Sequence, residues 1–178
     1  MPNSENLVDL KELRKLVDEL DLSDRHLNEY INARWLKYVE WWDLRARAAK
    51  KKYYALSVAT IVGGALIPAL VGLRELNAWG NQAWVFAVAS IVASLTVAIC
   101  TGLEGVFGFG RIWREKRAAA ELIKSEGFRF LQLTGAYERT GKLHADLFAI
   151  FAENVETIIQ AEIKDYIIAV KPKEPKSL

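Results

Sequence analysis

Glu104 stands at the end of a long uncharged run, in AICTGLEGVFGFGR, where a carboxylate is costly unless something answers its charge. At about 100° per residue, Ser90, Ser94, Thr101, Glu104 and Gly108 fall within about 40° of one line on a helix. A second stripe, Ser57, Thr60, Gly64 and Pro68, is similarly narrow on the helix before it. Two kinds of chemistry suit such stripes. As helix-packing faces, they let two backbones approach closely, with Glu104 anchored at the inner end. As pore-lining faces, they flank a water path formed when several hairpins assemble, with Glu104 as an inner ring of negative charge. Counting equal distances outward from a loop centre near Ala78 sets Glu104 level with Lys52, so a resting ion pair with Lys51, Lys52 or Arg111 is expected.

Other chemistry finds little support. His26 and His144 are far apart, and no Cys or His pair has ligand spacing, so no metal site is expected. There is no P-loop and no dinucleotide fingerprint; the glycine pair in GFGRIW follows an apolar helix rather than a strand. Nothing places Ser, His and Asp together, so the chain reads as a non-enzyme with no catalytic residues and no cofactor. Cys100 is the single cysteine, which excludes an intramolecular disulfide. The net charge of +2 is too small for a nucleic-acid binder, and the bases gather in two short blocks. A Trp row between lysines could stack on nucleobases, but its spacing follows a helix stripe, which points to a core.

The elements that must carry Glu104 are long helices. With 52% apolar and 26% charged residues, the 178-residue chain is too hydrophobic for disorder. Residues 55–73 and 76–103 hold no charge, and each run meets the length of about 20 residues that crosses a bilayer core as a helix. Gly63, Gly64 and Pro68 would weaken a solvated helix, yet membrane helices tolerate them. Before the first run lie Arg45, Arg47, Lys50, Lys51 and Lys52; after the second lie Arg111, Arg114, Lys116 and Arg117. The connecting RELNAWGNQ holds one base and one acid, so by the positive-inside rule both termini are cytoplasmic. Tyr53, Tyr54 and Trp113 mark the inner interface, and Trp79 and Trp84 the outer one. The competing reading, a soluble bundle with an apolar central hairpin, leaves this bracketing unexplained. The opening MPNSENLVDLKELRK has no basic region followed by an apolar one, so no cleavable signal peptide is expected.

The fold class that follows is an all-α membrane protein: a two-helix transmembrane hairpin continuing into a cytoplasmic helical bundle. Residues 1–22 form an amphipathic helix with Leu7, Leu10, Leu13, Val17 and Leu20 on its stripe, and Asp21 or Ser23 caps the next start. Residues 23–54 form a stalk on which Leu27, Ile31, Trp35, Tyr38, Trp42, Ala46, Ala49 and Tyr53 recur by threes and fours, with Trp41 also assigned to the bundle. The first span is 55–73, the outer loop 74–82 and the second span 83–110, which continues without a break into cytoplasmic helices over 111–170. TGAYERTGK reads as a turn. The last helix places Leu147, Phe151, Val155, Ile158 and Tyr166 on one stripe, and 171–178 is a Pro- and Lys-rich tail expected to be unstructured.

Three segments carry a family likeness: RARAAKKKYYALSVATIVGGALIPALVGL, AICTGLEGVFGFGRIWREKRAAAELIKSE and LFAIFAENVETIIQAEI. Together, over roughly residues 25 to 168, they resemble the SLATT-like superfamily of bacterial two-transmembrane domains, grouped partly under a domain-of-unknown-function heading. The resemblance implies a multi-pass protein of the bacterial cytoplasmic (inner) membrane. It further implies a homo-oligomer acting as a pore-forming effector in defence systems. A cytoplasmic sensor or signalling protein would be its partner, the bilayer its surroundings, and no catalytic residue transfers. A non-conducting, membrane-anchored scaffold that recruits a cytoplasmic protein is the alternative.

Overall fold

A computed structural model describes residues 10–19, 25–75, 80, 82–138 and 143–170. Among them the chain is helical, with no strand. Six α-helices follow one another: α1 Leu10–Glu19, α2 Arg25–Tyr30, α3 Leu36–Glu75, α4 Ala83–Phe107, α5 Phe109–Leu131 and α6 His144–Val170. Leu7, Leu20, Asp21, Ser23, Trp79 and the tail lie outside the described residues, as do the side chains of Leu10 and Tyr166. Cα distances divide the chain into two compact units, one of Met1–Asp43 with Lys116–Leu178 and the other Leu44–Glu115.

In the first unit the apolar stripes close a helical core. Leu13 and Val17 of α1, Leu27 of α2, and Leu147, Phe151, Val155 and Ile159 of α6 are all buried. The spacing of four along α6 puts Ile159 in the centre, with Ile158 at its margin. Between α2 and α3 the helix widens into a π turn, Ile31–Trp35, in which the Leu36 N–H donates to the Ile31 carbonyl. One residue is thereby added to the turn. Trp35 and its neighbour Leu36 are both buried as a result, although a regular helix would turn the second away. Trp41 departs from the expected core: it is 43% exposed, while Trp35 and Trp42 are each 1% exposed. It sits one residue off the stripe that Trp42 occupies.

Trp35 fits because α5 is thin where it arrives. A Cβ on Gly127 would lie 1.9 Å from Trp35 Cζ2. The indole N–H donates to the Ile123 carbonyl at 2.9 Å, which satisfies the one polar atom of a buried tryptophan. Phe130 stacks on Phe151 at 4.3 Å. Helix α5 then ends in a Schellman closure, Thr134 N–H to Arg129 carbonyl at 2.9 Å and Leu133 N–H to Phe130 carbonyl at 3.2 Å, with Leu133 at φ 51°. The following turn delivers a core residue. Tyr137 is fully buried, its hydroxyl donating to Glu126 at 2.5 Å and accepting from Asn154 at 2.9 Å.

Charges are also taken inside this unit. Asp43 and Lys124 are 2% and 4% exposed and meet at 3.1 Å; Arg117 reaches the other oxygen of Asp43 at 3.1 Å and Glu121 at 2.9 Å. Lys116 pairs with Glu162. Arg34 grips Glu156 with two hydrogen bonds of 2.7 Å, and the Tyr30 hydroxyl donates to the same carboxylate at 3.1 Å. Those bonds hold the Glu156 carboxyl below the usual range, the Arg34 contribution being largest, and burial pushes the Tyr30 hydroxyl up.

The second unit is a hairpin of α3 and α4. Both helices are long and apolar enough to cross a membrane. Val58, Ile61, Val92, Leu95 and Val106 are among its exposed large side chains. Contrary to the expectation of an unbroken second helix, the backbone turns out of the helix at Gly108, where φ is 58° and ψ is 43°.

Candidate functional site

The break after Glu104 is built by glycine and closed by the carboxylate. Gly108 adopts a left-handed conformation that costs other L-residues about 1–2 kcal/mol. Its N–H still donates to the Glu104 carbonyl at 2.8 Å, ending α4, and its own carbonyl accepts from Ile112 at 3.0 Å, starting α5. Gly110 is constrained by space instead. A Cβ there would lie 2.8 Å from the Tyr53 ring and 3.2 Å from Glu104 Oε1. Gly102 and Gly105, in the same run, would meet nothing within 4 Å.

Glu104 folds back onto the first turn of α5, where Oε1 accepts from the Gly110 N–H at 3.0 Å. The negative charge therefore sits at a helix N-terminus, whose free N–H groups and dipole favour an anion by about 0.3–1 kcal/mol. Oε2 is buried and has no hydrogen-bond partner. The expected ion pair with Lys51, Lys52 or Arg111 is not formed. Lys52 Nζ lies 5.2 Å above the Phe109 ring, Arg111 lies 3.9 Å from Glu115, and Lys51 projects outward. A lysine at the level of the carboxylate is thus answered by an aromatic face, and the carboxylate by a helix end.

Aromatic rings frame this turn. Tyr53 stacks on Trp113 at 6.1 Å, Tyr54 approaches Trp113 at 5.8 Å, and Phe107 stacks on Phe109 across Gly108 at 5.4 Å. Lys50 Nζ lies 5.6 Å from the Tyr54 centroid and 5.5 Å from that of Trp113. Trp84, at the other end of the hairpin, is 65% exposed.

The two small-residue stripes are divided between inside and outside. Ser57, Thr60, Ser90 and Glu104 are half-buried, whereas Gly64, Pro68, Ser94 and Thr101 are exposed. The close approach within the hairpin is made by Gly63, where a Cβ would lie 2.7 Å from Val97 Cγ2; at Gly64 it would touch nothing. Ser90, Ser94 and Thr101 each satisfy their hydroxyl on a backbone carbonyl three or four residues earlier, at 2.8 Å. That internal bond lets a hydroxyl face an apolar medium. Gly63 and Gly110 are the residues that sequence spacing missed. Apolar periodicity carries no signal for which of two adjacent glycines meets a neighbour.

An all-helical chain with one packed bundle and one hairpin of two membrane-length helices is the class this fold defines. The family model for "Protein of unknown function (DUF4231)" matches residues 37–143, from early α3 through the hairpin and α5, and the chain belongs to that family. No curated protein and no solved structure matches it. Membership bears out the domain-of-unknown-function heading; the match does not itself name the SLATT superfamily.

Proposed function

We propose that the chain is a homo-oligomeric, two-span protein of the bacterial cytoplasmic membrane, with both termini cytoplasmic, whose hairpins assemble into a pore. The observation that carries this reading is the exposed flank of α4. Ser94 and Thr101 lie on it with Ala98 and Gly105 beside them, on a helix whose other exposed residues are mostly large and apolar, Thr96 on the opposite side being the polar exception. Exposed hydroxyls and small residues suit either a second hairpin or water, and an assembly supplies both. Glu104 would contribute an inner ring of carboxylates, each held in place by its bond to Gly110. The SLATT-like resemblance adds the expectation of an effector in a defence system, triggered by a cytoplasmic sensor or signalling partner.

The test is ion flux through liposomes carrying the purified chain and its Glu104→Gln variant. The pore reading expects oligomer-dependent conductance in the parent. It expects unchanged insertion and oligomer size in the variant, with altered cation preference. Sealed liposomes, or a variant identical to the parent in conductance and selectivity, remove the pore or the role of Glu104 respectively.

A second reading, a non-conducting scaffold, draws support from a shallow open groove of about 310 Å³ in the bundle, lined by Lys37, Tyr38 and Trp41. An exposed tryptophan beside a half-buried tyrosine carries the aromatic enrichment of protein-docking patches. A sealed membrane together with a cytoplasmic partner lost on Trp41→Ala would favour it.

A further inference from the structure

Two bases of the second block are closely held by carboxylates, and four others of the two blocks are not. Lys116 and Arg117 are held by Glu162, Asp43 and Glu121 inside the bundle unit. The hairpin unit carries Lys51, Lys52, Arg111 and Arg114 at the end marked by Trp113, where Glu104 and Glu115 are its acids. Glu104 is committed to the start of α5, and Glu115 makes a long, exposed contact of 3.9 Å with Arg111. Lys51 and Arg114 are exposed and have no carboxylate within 4.0 Å among the described residues, and Lys52 rests on the Phe109 ring. Val106 at 81% and Phe107 at 53% are exposed five and four residues before Arg111, and Phe107 stacks on the Phe109 ring that Lys52 covers, so this end of the hairpin is not wholly polar.

We infer that Lys51, Lys52, Arg111 and Arg114 form a docking surface for the headgroups of anionic phospholipids. The inference rests on the membrane reading above and names the lipid class it selects. A phosphate held by these cations would bring its acyl chains to the end of α4, where Val106 and Phe107 are exposed. A free phosphate or a nucleic-acid backbone has nothing to place there. The aromatic rings of Tyr54 and Trp113 set the depth, since such rings partition to the headgroup level. Each cation near an anionic surface contributes roughly a fivefold preference.

The test uses the full chain. Insertion is measured first, by alkali-resistant flotation with vesicles of neutral phosphatidylcholine alone. The chain is then equilibrated in micelles holding equal amounts of phosphatidylcholine and phosphatidylglycerol with identical acyl chains, and retained lipid is counted by mass spectrometry. The parent is expected to insert and to retain phosphatidylglycerol over phosphatidylcholine roughly tenfold or more. The variant Lys51→Gln/Lys52→Gln/Arg111→Gln/Arg114→Gln should insert equally, show the same helical circular dichroism and lose that preference. A charge-matched control, Lys15→Gln/Arg25→Gln/Arg129→Gln/Lys164→Gln, should keep it. Insertion without lipid preference overturns the inference, as does a preference that survives the quadruple change. So does displacement of the lipid by millimolar glycerol phosphate, which would reveal a soluble-phosphate site. Failure to float with any vesicle is a separate result that removes the membrane reading itself.

Discussion

Glu104, Gly108 and Gly110 act as one device, and their individual substitutions should separate its parts. Gly108→Ala keeps the space but forces a side chain into the left-handed region, costing about 1–2 kcal/mol. Gly110→Ala keeps ordinary dihedrals but overlaps Tyr53, and overpacking of this kind costs about 1–3 kcal/mol. Thermal unfolding in detergent should therefore show both variants destabilised, with only Gly110→Ala rescued by Tyr53→Ala. Equal rescue of both would mean that crowding, not backbone conformation, limits Gly108. Glu104→Gln retains an oxygen that can accept from Gly110 and loses only the attraction of a charge to the helix start, about 0.3–1 kcal/mol. A large loss of stability would show that the buried Oε2 meets a cation in the assembled protein.

At the scale of elements, the bundle unit depends on two exceptions to its apolar pattern. Trp35 occupies the volume that Gly127 leaves open, so Gly127→Ala should cost more than about 1–3 kcal/mol unless α5 shifts away, measured against Gly127→Ala in a Trp35→Phe background. The buried Asp43–Lys124 contact should behave asymmetrically. Asp43→Ala leaves the buried Lys124 only its 3.5 Å contact with Glu121 and should cost about 3–5 kcal/mol, whereas Asp43→Leu/Lys124→Met should be closer to neutral. Glu156 gives an acid limb. Its folded pKa lies below the ordinary 4.5, so its contribution is complete above that pH and is lost as pH falls through the lower, folded value. Glu156→Gln should flatten that limb in unfolding curves recorded from neutral pH downwards. The helices themselves were legible in the sequence because burial imposes a period. Leu27, Ile31, Trp35, Trp42, Ala46 and Ala49 are all buried on the stripe their spacing marks. The π turn, the break at Gly108 and the pairing of Asp43 with Lys124 were not. Each depends on contacts between residues distant in sequence, or on one backbone dihedral, and neither leaves a periodic trace.

Across the whole molecule, the proposed assembly turns on two exposed hydroxyls of α4, Ser94 and Thr101, which share one flank of the helix wheel while the third, Thr96, lies about 160° away with its hydroxyl bonded to the Val92 carbonyl. Measured from Ser94 at about 100° per residue, Thr101 and Gly105 lie within about 20°. The half-buried Ala93, Val97, Cys100 and Glu104 lie roughly 60–120° to one side, and Val92 and Ile99 roughly 140–160° to the other. The hydroxyl flank thus faces neither the partner helix of its own hairpin nor the most apolar surface. If hairpins surround an axis, that flank turns toward water or a neighbouring copy, and Val92 and Ile99 turn toward lipid. Cys100 is the sole native thiol, so a Cys100→Ser background allows each position to be probed alone. Ser94→Cys and Thr101→Cys should react with a charged, membrane-impermeant thiol reagent in the assembled protein, or cross-link copies under oxidation. Val92→Cys and Ile99→Cys should do neither until detergent exposes them, although both native side chains are more than half exposed in the single chain. Reaction at all four sites before detergent treatment would place the whole hairpin in water and remove the membrane assembly. Silence at Ser94→Cys and Thr101→Cys, with no cross-linking, would leave the flank facing lipid. The internally bonded hydroxyls of Ser94 and Thr101 would then serve only to make α4 tolerable to hydrocarbon, and the pore would lose its lining.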